Sequence, residues 1–271
     1  MTEIRPEILE HYNEGREAAR LIDGSVGGPL EFERTLELLE RFLPPLPACV
    51  LDVGGGPGQY SAWLAERGYD VLLIDPVPLH VEQARARALT AEVGDARDLS
   101  REDASADVVL LMGPLYHLTD AADRHLALGE AFRVLRPGGL LIAAAIGRYA
   151  ALLDMLVRLD RIHEPAVAAC VEESVRSGIF RGHEHGLFTT AFFHLPEQLR
   201  DEITMAGFDS CELFNVEGPG FVVRDLESRW QDPQRRAALL GAARLIESDP
   251  AMLASASHLL AVARTSPRSG G

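Results

Sequence analysis

From residue 49 onward, short unbroken apolar runs alternate with stretches whose apolar residues recur at helical spacing. CVLDV (49–53), DVLLID (70–75), ADVVLLMG (106–113) and GLLIAAAI (139–146) are short, mostly apolar runs, and AEVGDA (91–96) holds a further short strand. Such runs predict buried parallel strands. Between them, 60–67, 79–89 and 120–135 read as helices, the last stopped by Arg136-Pro137-Gly138-Gly139. Ahead of the first strand, Ile8, Leu9, Tyr12 and Leu21 fall loosely on helical spacing. Leu30, Phe32, Leu36, Leu39 and Leu43 make a clearer stripe that Pro44-Pro45 ends. DGSVGGP (23–29) separates these two helices.

After the fifth strand the alternation pauses. Residues 148–193 read as one or two helices followed by a His-rich loop, GHEHG. Then 195–206 is helical, 211–218 a strand, 226–247 mostly helix and 258–265 a last strand. The pattern predicts an α/β fold: a doubly wound, mostly parallel seven-stranded sheet with N-terminal helices and a helical lid inserted after strand five. The organisation expected is a helical cap over 1–45, a core formed by 46–147 and 194–266, a lid over 148–193 and a frayed tail at 267–271.

Composition narrows the partners. The chain has 271 residues, 47% of them hydrophobic, enough for a sizeable core. A net charge of −15 argues against a nucleic-acid backbone as the main partner, because that partner wants a basic stripe. Cys49, Cys170 and Cys211 are odd in number and widely spaced, without zinc spacing. They read as buried free thiols of a reducing compartment. The opening MTEIRPEILEHYNEG is acidic and polar, with no sign of a secretory leader. The longest apolar stretch, LLIAAAI at 140–146, is too short to span a bilayer. These features predict a cytoplasmic protein, a monomer or homodimer, with neither membrane nor nucleic acid as partner.

The candidate chemistry begins at VLDVGGGPGQY (50–60), a glycine loop directly after the first strand. A loop there can bring a nucleotide-like ligand close to the backbone. The dinucleotide fingerprint G-x-G-x-x-G fits Gly54 and Gly56 but then lands on Gln59; started one residue later it meets Pro57. The stretch instead reads Asp52-x-Gly54-x-Gly56-x-Gly58, an acid followed by alternate glycines. Asp75 ends the second strand at the distance expected of a ribose-binding acid, and Gly94-Asp95-Ala96 follows the third. Asp75 also suits a helix cap and Asp95 a turn.

In this order the motifs resemble those of class I S-adenosylmethionine (SAM) methyltransferases, Rossmann-like in fold. The resemblance covers 48–147 well and fits the closing strand-helix-strand order of about 195–265. It implies SAM as cofactor, with Asp52, Gly54, Gly55 and Gly56 forming the loop under its methionine and ribose. Asp75, followed by Pro76, would accept from both ribose hydroxyls. Asp95 and Ala96 would meet the adenine, and Met112 and Gly113 the methionine part. In related enzymes the N-terminal helices close over SAM. Tyr12, Glu14, Arg20 and Arg34 lie on those helices, and Arg34 is the candidate partner of its carboxylate.

The end of strand four, MGPLYHL, lacks the Asp/Asn-Pro-Pro-aromatic motif of nucleic-acid amino methyltransferases. GPLYHL is similar to bacterial small-molecule enzymes related to the ubiquinone and menaquinone type. Tyr116 and His117 then face the acceptor or the sulfonium, or else pack the loop. His183 and His185 offer a metal-like H-x-H without a third ligand at suitable spacing, so no metal is expected. As lid residues, His183, His185 and Phe192 are candidate acceptor contacts, with Phe188, Phe193 and His194 nearby. The function implied is methyl transfer by in-line displacement to a small metabolite or natural product. A peptide or protein acceptor, or a SAM-binding protein without catalysis, remains open.

Overall fold

The computed structural model describes residues 5–13, 21 and 27–267. Glu14, Arg20, most of the expected glycine-rich break and the last four residues of the expected tail lie outside them. In chain order the elements begin with α1 (Pro6–Asn13), α2 (Gly28–Phe42), β1 (Cys49–Val53), α3 (Gln59–Glu66), β2 (Asp70–Asp75), α4 (Pro78–Ala86), β3 (Thr90–Val93) and β4 (Ala106–Leu111). Next come α5 (Pro114–His117), α6 (Ala121–Val134), β5 (Leu135–Gly147), α7 (Ala150–Leu153), α8 (Pro165–Ser177), β6 (Ile179–Arg181) and β7 (Thr190–His194). The chain closes with α9 (Pro196–Met205), β8 (Ser210–Asn215), α10 (Leu226–Gln231), α11 (Pro233–Ile246), α12 (Pro250–Leu253) and β9 (His258–Arg264).

The seven expected strands form the sheet in the order β3-β2-β1-β4-β5-β9-β8, parallel except at β9. The apolar runs are buried on both faces: Val50, Val108, Leu110 and Ile142 meet α2 on one side. Leu51, Val109, Leu111 and Leu141 meet α6 and α9 on the other. The strand order reverses at β1, between β2 and β4. A crevice opens beyond the strand ends at such a reversal, and the glycine loop leaves β1 there.

Local signals explain most boundaries. Asp120 caps α6, accepting from the Ala122 amide at 3.0 Å. The expected helix over 226–247 is two helices, because Asp232 caps a new start and accepts from the Gln234 and Arg235 amides, with Pro233 at the first helical position. The three cysteines are unpaired, as expected, but partly exposed rather than buried.

The insertion after β5 departs most from its reading. Its first helix lasts only through Leu153, where a π-helical turn over Asp154–Arg158 replaces it. The stretch expected as a His-rich loop is bounded by two antiparallel strands, β6 and β7, making nine strands among the described residues. Phe180, Thr190, Phe192 and Phe193 favour a pleated surface, and a pattern search for helices passes over so short a pair. β7 pairs with Ile146 and Gly147, continuing along β5 beyond the end of β4. Among the described residues, no helix is long and apolar enough to cross a membrane.

Candidate active site

The loop after β1 is shaped by what lies against it. Gly54 has φ +72°, and a Cβ there would stand 2.6 Å from Pro114 of α5. A Cβ on Gly55 would stand 2.7 Å from the Asp52 carboxylate. The loop is therefore wedged between the start of α5 above and Asp52 below. Asp52 is fully buried and accepts from Ser61 Oγ at 2.7 Å. Burial, helped by the charge of Asp75, pushes its carboxyl up to about 6. It supports the loop from beneath and does not line the cavity, contrary to its expected place among the residues facing the ligand.

The cavity measures about 410 Å3, a normal size for a small-molecule site. One wall is made by Gly54, Gly55, Gly56, Asp75 and Pro76. Asp95, Ala96, Met112 and Gly113 continue it. These nine residues come from the ends of four successive parallel strands, and the structure brings them together as the motif order predicts. Asp75 is held by three donors: the Gly56 amide at 2.8 Å on one oxygen, and the Val77 amide at 2.9 Å and His80 Nδ1 at 3.1 Å on the other. Asp95 is gripped by Arg97, whose Nε lies 3.0 Å and a terminal nitrogen 2.6 Å from the carboxylate. Burial alone would raise the Asp95 pKa, but the Arg97 hydrogen bonds outweigh it and hold the carboxyl below its usual range.

The opposite wall is made of rings. Tyr116 and His117 stand on α5, and the Tyr116 hydroxyl donates to the Met112 carbonyl at 3.1 Å. Tyr12, on α1, places its hydroxyl 2.6 Å from His117 Nε2. Its ring meets the edges of both His117 and His80, with centroids 5.2 Å away. Phe188 closes the group, 5.9 Å from His117 and 5.4 Å from His11. α1 is clasped from two sides: Arg5 donates to Thr119 Oγ1 at 3.1 Å, and Thr190 Oγ1 donates to the Glu7 carboxylate at 3.1 Å.

Besides Asp52, four candidates fall elsewhere. Arg34 is fully buried in α2, where its guanidinium pairs with Glu37 and Glu247 and donates to the Val216 carbonyl at 3.2 Å. Those partners leave it tying α2 to the C-terminal elements, away from the cavity, which corrects its expected pairing with the cofactor carboxylate. His183 contacts Thr190 at 3.2 Å and so braces the clasp on α1 instead of lining the pocket. His185 follows on the same turn, outside the cavity wall, with its carbonyl facing Arg161. Phe192 is interior, packed under the Arg124 guanidinium at 3.8 Å, and the cavity wall does not include it.

Sequence reading missed Arg5, Ile8, Gln59, Tyr60, His80, Arg97 and Thr119 on the wall. Only His80 carried a usable signal, a polar ring in the first turn of the helix that follows Asp75. Among the described residues, Glu31, Glu217 and His258 bring one metal-ligating atom each within 4.8 Å of one another, far from the H-x-H pair in sequence.

The lining fits a nucleoside-bearing ligand: a glycine loop in the cavity wall, a carboxylate with lone-pair capacity left, and a buried unpartnered imidazole nitrogen on His80. Residues 50–139 match the methyltransferase domain family. The matched segment, about a third of the chain, holds the glycine loop and the strand ends around it and is thus similar to a methyltransferase domain, a class whose class I members use SAM as cofactor. Over 107 residues it is 39% identical to an uncharacterized methyltransferase of Mycobacterium tuberculosis, covering 39% of this chain and 42% of that one. The match therefore spans about two-fifths of that relative's length. A ubiquinone biosynthesis O-methyltransferase of Azorhizobium caulinodans is 29% identical over 199 residues, 70% of this chain and 69% of the relative. The solved structure of a SAM-dependent methyltransferase of Thermotoga maritima, a possible histamine N-methyltransferase, shares the fold with a TM-score of 0.60. It covers 95% of this chain and 98% of its own at 17% identity.

Proposed function

We propose that the protein transfers the methyl group of SAM to a small-molecule acceptor held between the glycine loop and the rings of α1 and α5. The observation that carries this reading is the continuity of one cavity, walled by Gly54–Gly56 and Asp75 on one side and by Tyr12, Tyr116 and His117 on the other. The similarity to an enzyme named for ubiquinone O-methylation favours a small acceptor over a macromolecule.

When bound, SAM supplies an electrophilic methyl carbon on a cationic sulfur. An acceptor oxygen or nitrogen held between the loop and the rings would be placed to attack in line, and its proton would have to leave. The Tyr12–His117 pair provides its route. The Tyr12 hydroxyl takes the acceptor proton while its own passes to His117 Nε2 across the 2.6 Å contact. Histidine suits this task because its neutral form accepts a proton near neutral pH. Ile8 and Leu21 add apolar surface to the wall and keep water from competing for the methyl group. Tyr12 and Tyr116 both line the cavity, where an aromatic ring can stabilise the cationic sulfur by cation–π attraction.

The test is transfer of label from methyl-labelled SAM across a panel of phenols, carboxylic acids and amines, with S-adenosylhomocysteine binding measured by calorimetry. Binding near micromolar and label on at least one small acceptor are expected. Label found only on peptides, or binding with no transfer at all, would replace this reading. The proton route needs no metal, so transfer continues in EDTA. A loss that a divalent ion restores would shift attention to Glu31, Glu217 and His258.

A further inference from the structure

Asp75 cannot serve both ribose hydroxyls as freely as its position suggests. A carboxylate offers about four lone-pair sites. The amides of Gly56 and Val77 and the ring of His80 already occupy three of them. The remaining capacity lies on Oδ2, the oxygen that receives only the Gly56 amide. A vicinal diol brings two donors to this corner of the cavity, so one of them needs another acceptor.

His80 offers one. Its ring is only 2% exposed and lines the same cavity as Asp75. The carboxylate supplies lone pairs only, so the proton shared with Asp75 sits on His80 Nδ1. In the neutral ring that leaves Nε2 as an acceptor. Nε2 is buried and has no hydrogen-bond partner. A buried polar atom left this way is costly, and a matching donor relieves the cost. Tyr12 fixes the plane of the ring, packing edge-on against it at 5.2 Å.

We propose that His80 Nε2 accepts a hydrogen bond from one ribose hydroxyl of the cofactor while Asp75 Oδ2 accepts from the other. The diol is read by a carboxylate–imidazole pair, with His80 a binding residue in its own right. This inference rests on the cofactor reading above. It covers any ligand that presents a ribose cis-diol here, and it gives each hydroxyl its own side-chain acceptor.

The experiment is a binding cycle with S-adenosylhomocysteine and its 2′-deoxy and 3′-deoxy forms, titrated into wild type and His80→Phe. In wild type each missing hydroxyl weakens binding roughly tenfold, the value of one hydrogen bond to a buried partner. In His80→Phe the intact ligand also weakens about tenfold, but one deoxy form binds as it does to wild type, since the acceptor it would have missed is gone. Equal deoxy penalties in wild type and variant, or a wild type indifferent to either hydroxyl, overturn the proposal. The wild-type titrations alone can therefore refute it, and His80→Leu replaces His80→Phe if the phenyl ring prevents folding. Failure of S-adenosylhomocysteine to bind wild type would strike the cofactor reading instead, a distinct result.

Discussion

The two walls of the cavity are built by different means. The wall on the glycine-loop side is made largely of backbone and of acids at strand ends, drawn from one continuous stretch between Gly54 and Gly113. The facing wall is made of rings on α1 and α5, over a hundred residues apart in sequence, and meets through the Tyr12–His117 contact. The first wall is fixed by the sheet: Gly54 donates to the Ile74 carbonyl at 2.7 Å, so the loop is part of the strand pairing. The second depends on side-chain contacts that a rotamer change can undo. The glycine-loop side is thus preformed, and the ring side can adapt to what it binds.

The largest effect should come from breaking the first wall. Gly54→Val forces a branched residue into φ +72° and against Pro114. Calorimetry should show S-adenosylhomocysteine binding weakened more than about 100-fold, roughly 3 kcal/mol. Binding within threefold of wild type would mean the loop is not the ligand's seat.

A change to the second wall should separate turnover from cofactor binding. His117→Phe is expected to cut methyl transfer by about 10²-fold, as for a lost acid–base group, with S-adenosylhomocysteine affinity moved less than threefold. If both fall together, the two walls act as one unit and the contrast between them fails.

Asp52 tests how much the preformed wall costs the fold. Its folded pKa, about 6, lies above the ordinary 3.8 because burial disfavours its charge. Below about pH 4 the carboxyl is protonated in both states and adds no penalty. As pH rises through 6 the folded protein must bury the charge, and stability falls by on the order of 2–3 kcal/mol. Asp52→Asn, which keeps an acceptor for Ser61, should gain Tm over wild type as pH rises from 4 to 7. A constant Tm difference across that range would show that Asp52 carries no such penalty.

The smallest effect belongs to the clasp on α1. Thr190→Val removes one hydrogen bond to Glu7, so amide exchange in α1 should speed roughly fivefold, about 1 kcal/mol. Exchange spread evenly over the whole molecule would mean α1 does not open by itself.

The contrast also explains what could be read from sequence. The central strands announce themselves as short apolar runs, because a parallel strand inside the sheet must be buried on both faces, whereas the edge strand β3 leaves Val93 exposed. The acids at their ends follow from position alone. Asp52 had the right place in the chain but faces down, since strand alternation and the tight Gly55 approach turn it under the loop. Arg34 had the right charge, but its partners Glu247 and Val216 lie more than 180 residues away and no local pattern reveals them. β6 and β7 are three and five residues long, too short for periodicity to register. The role of His183 depends on Thr190 across that hairpin, so it became visible only with the fold.

The joining of β7 to β5 has a mechanical consequence. Phe193 and His194 pair with Ile146 and Gly147 along the main chain. The Arg148 amide adds a bond to the His194 carbonyl at 2.7 Å, and its side chain another to the Phe193 carbonyl at 2.8 Å. This seam welds the inserted segment to the central beam of the sheet. It cannot swing outward like a hinged flap without unzipping that beam. Among the described residues, the contacts printed for the α1 region run through side chains, Arg5 to Thr119 and Thr190 to Glu7, so α1 is held less firmly than the welded insertion.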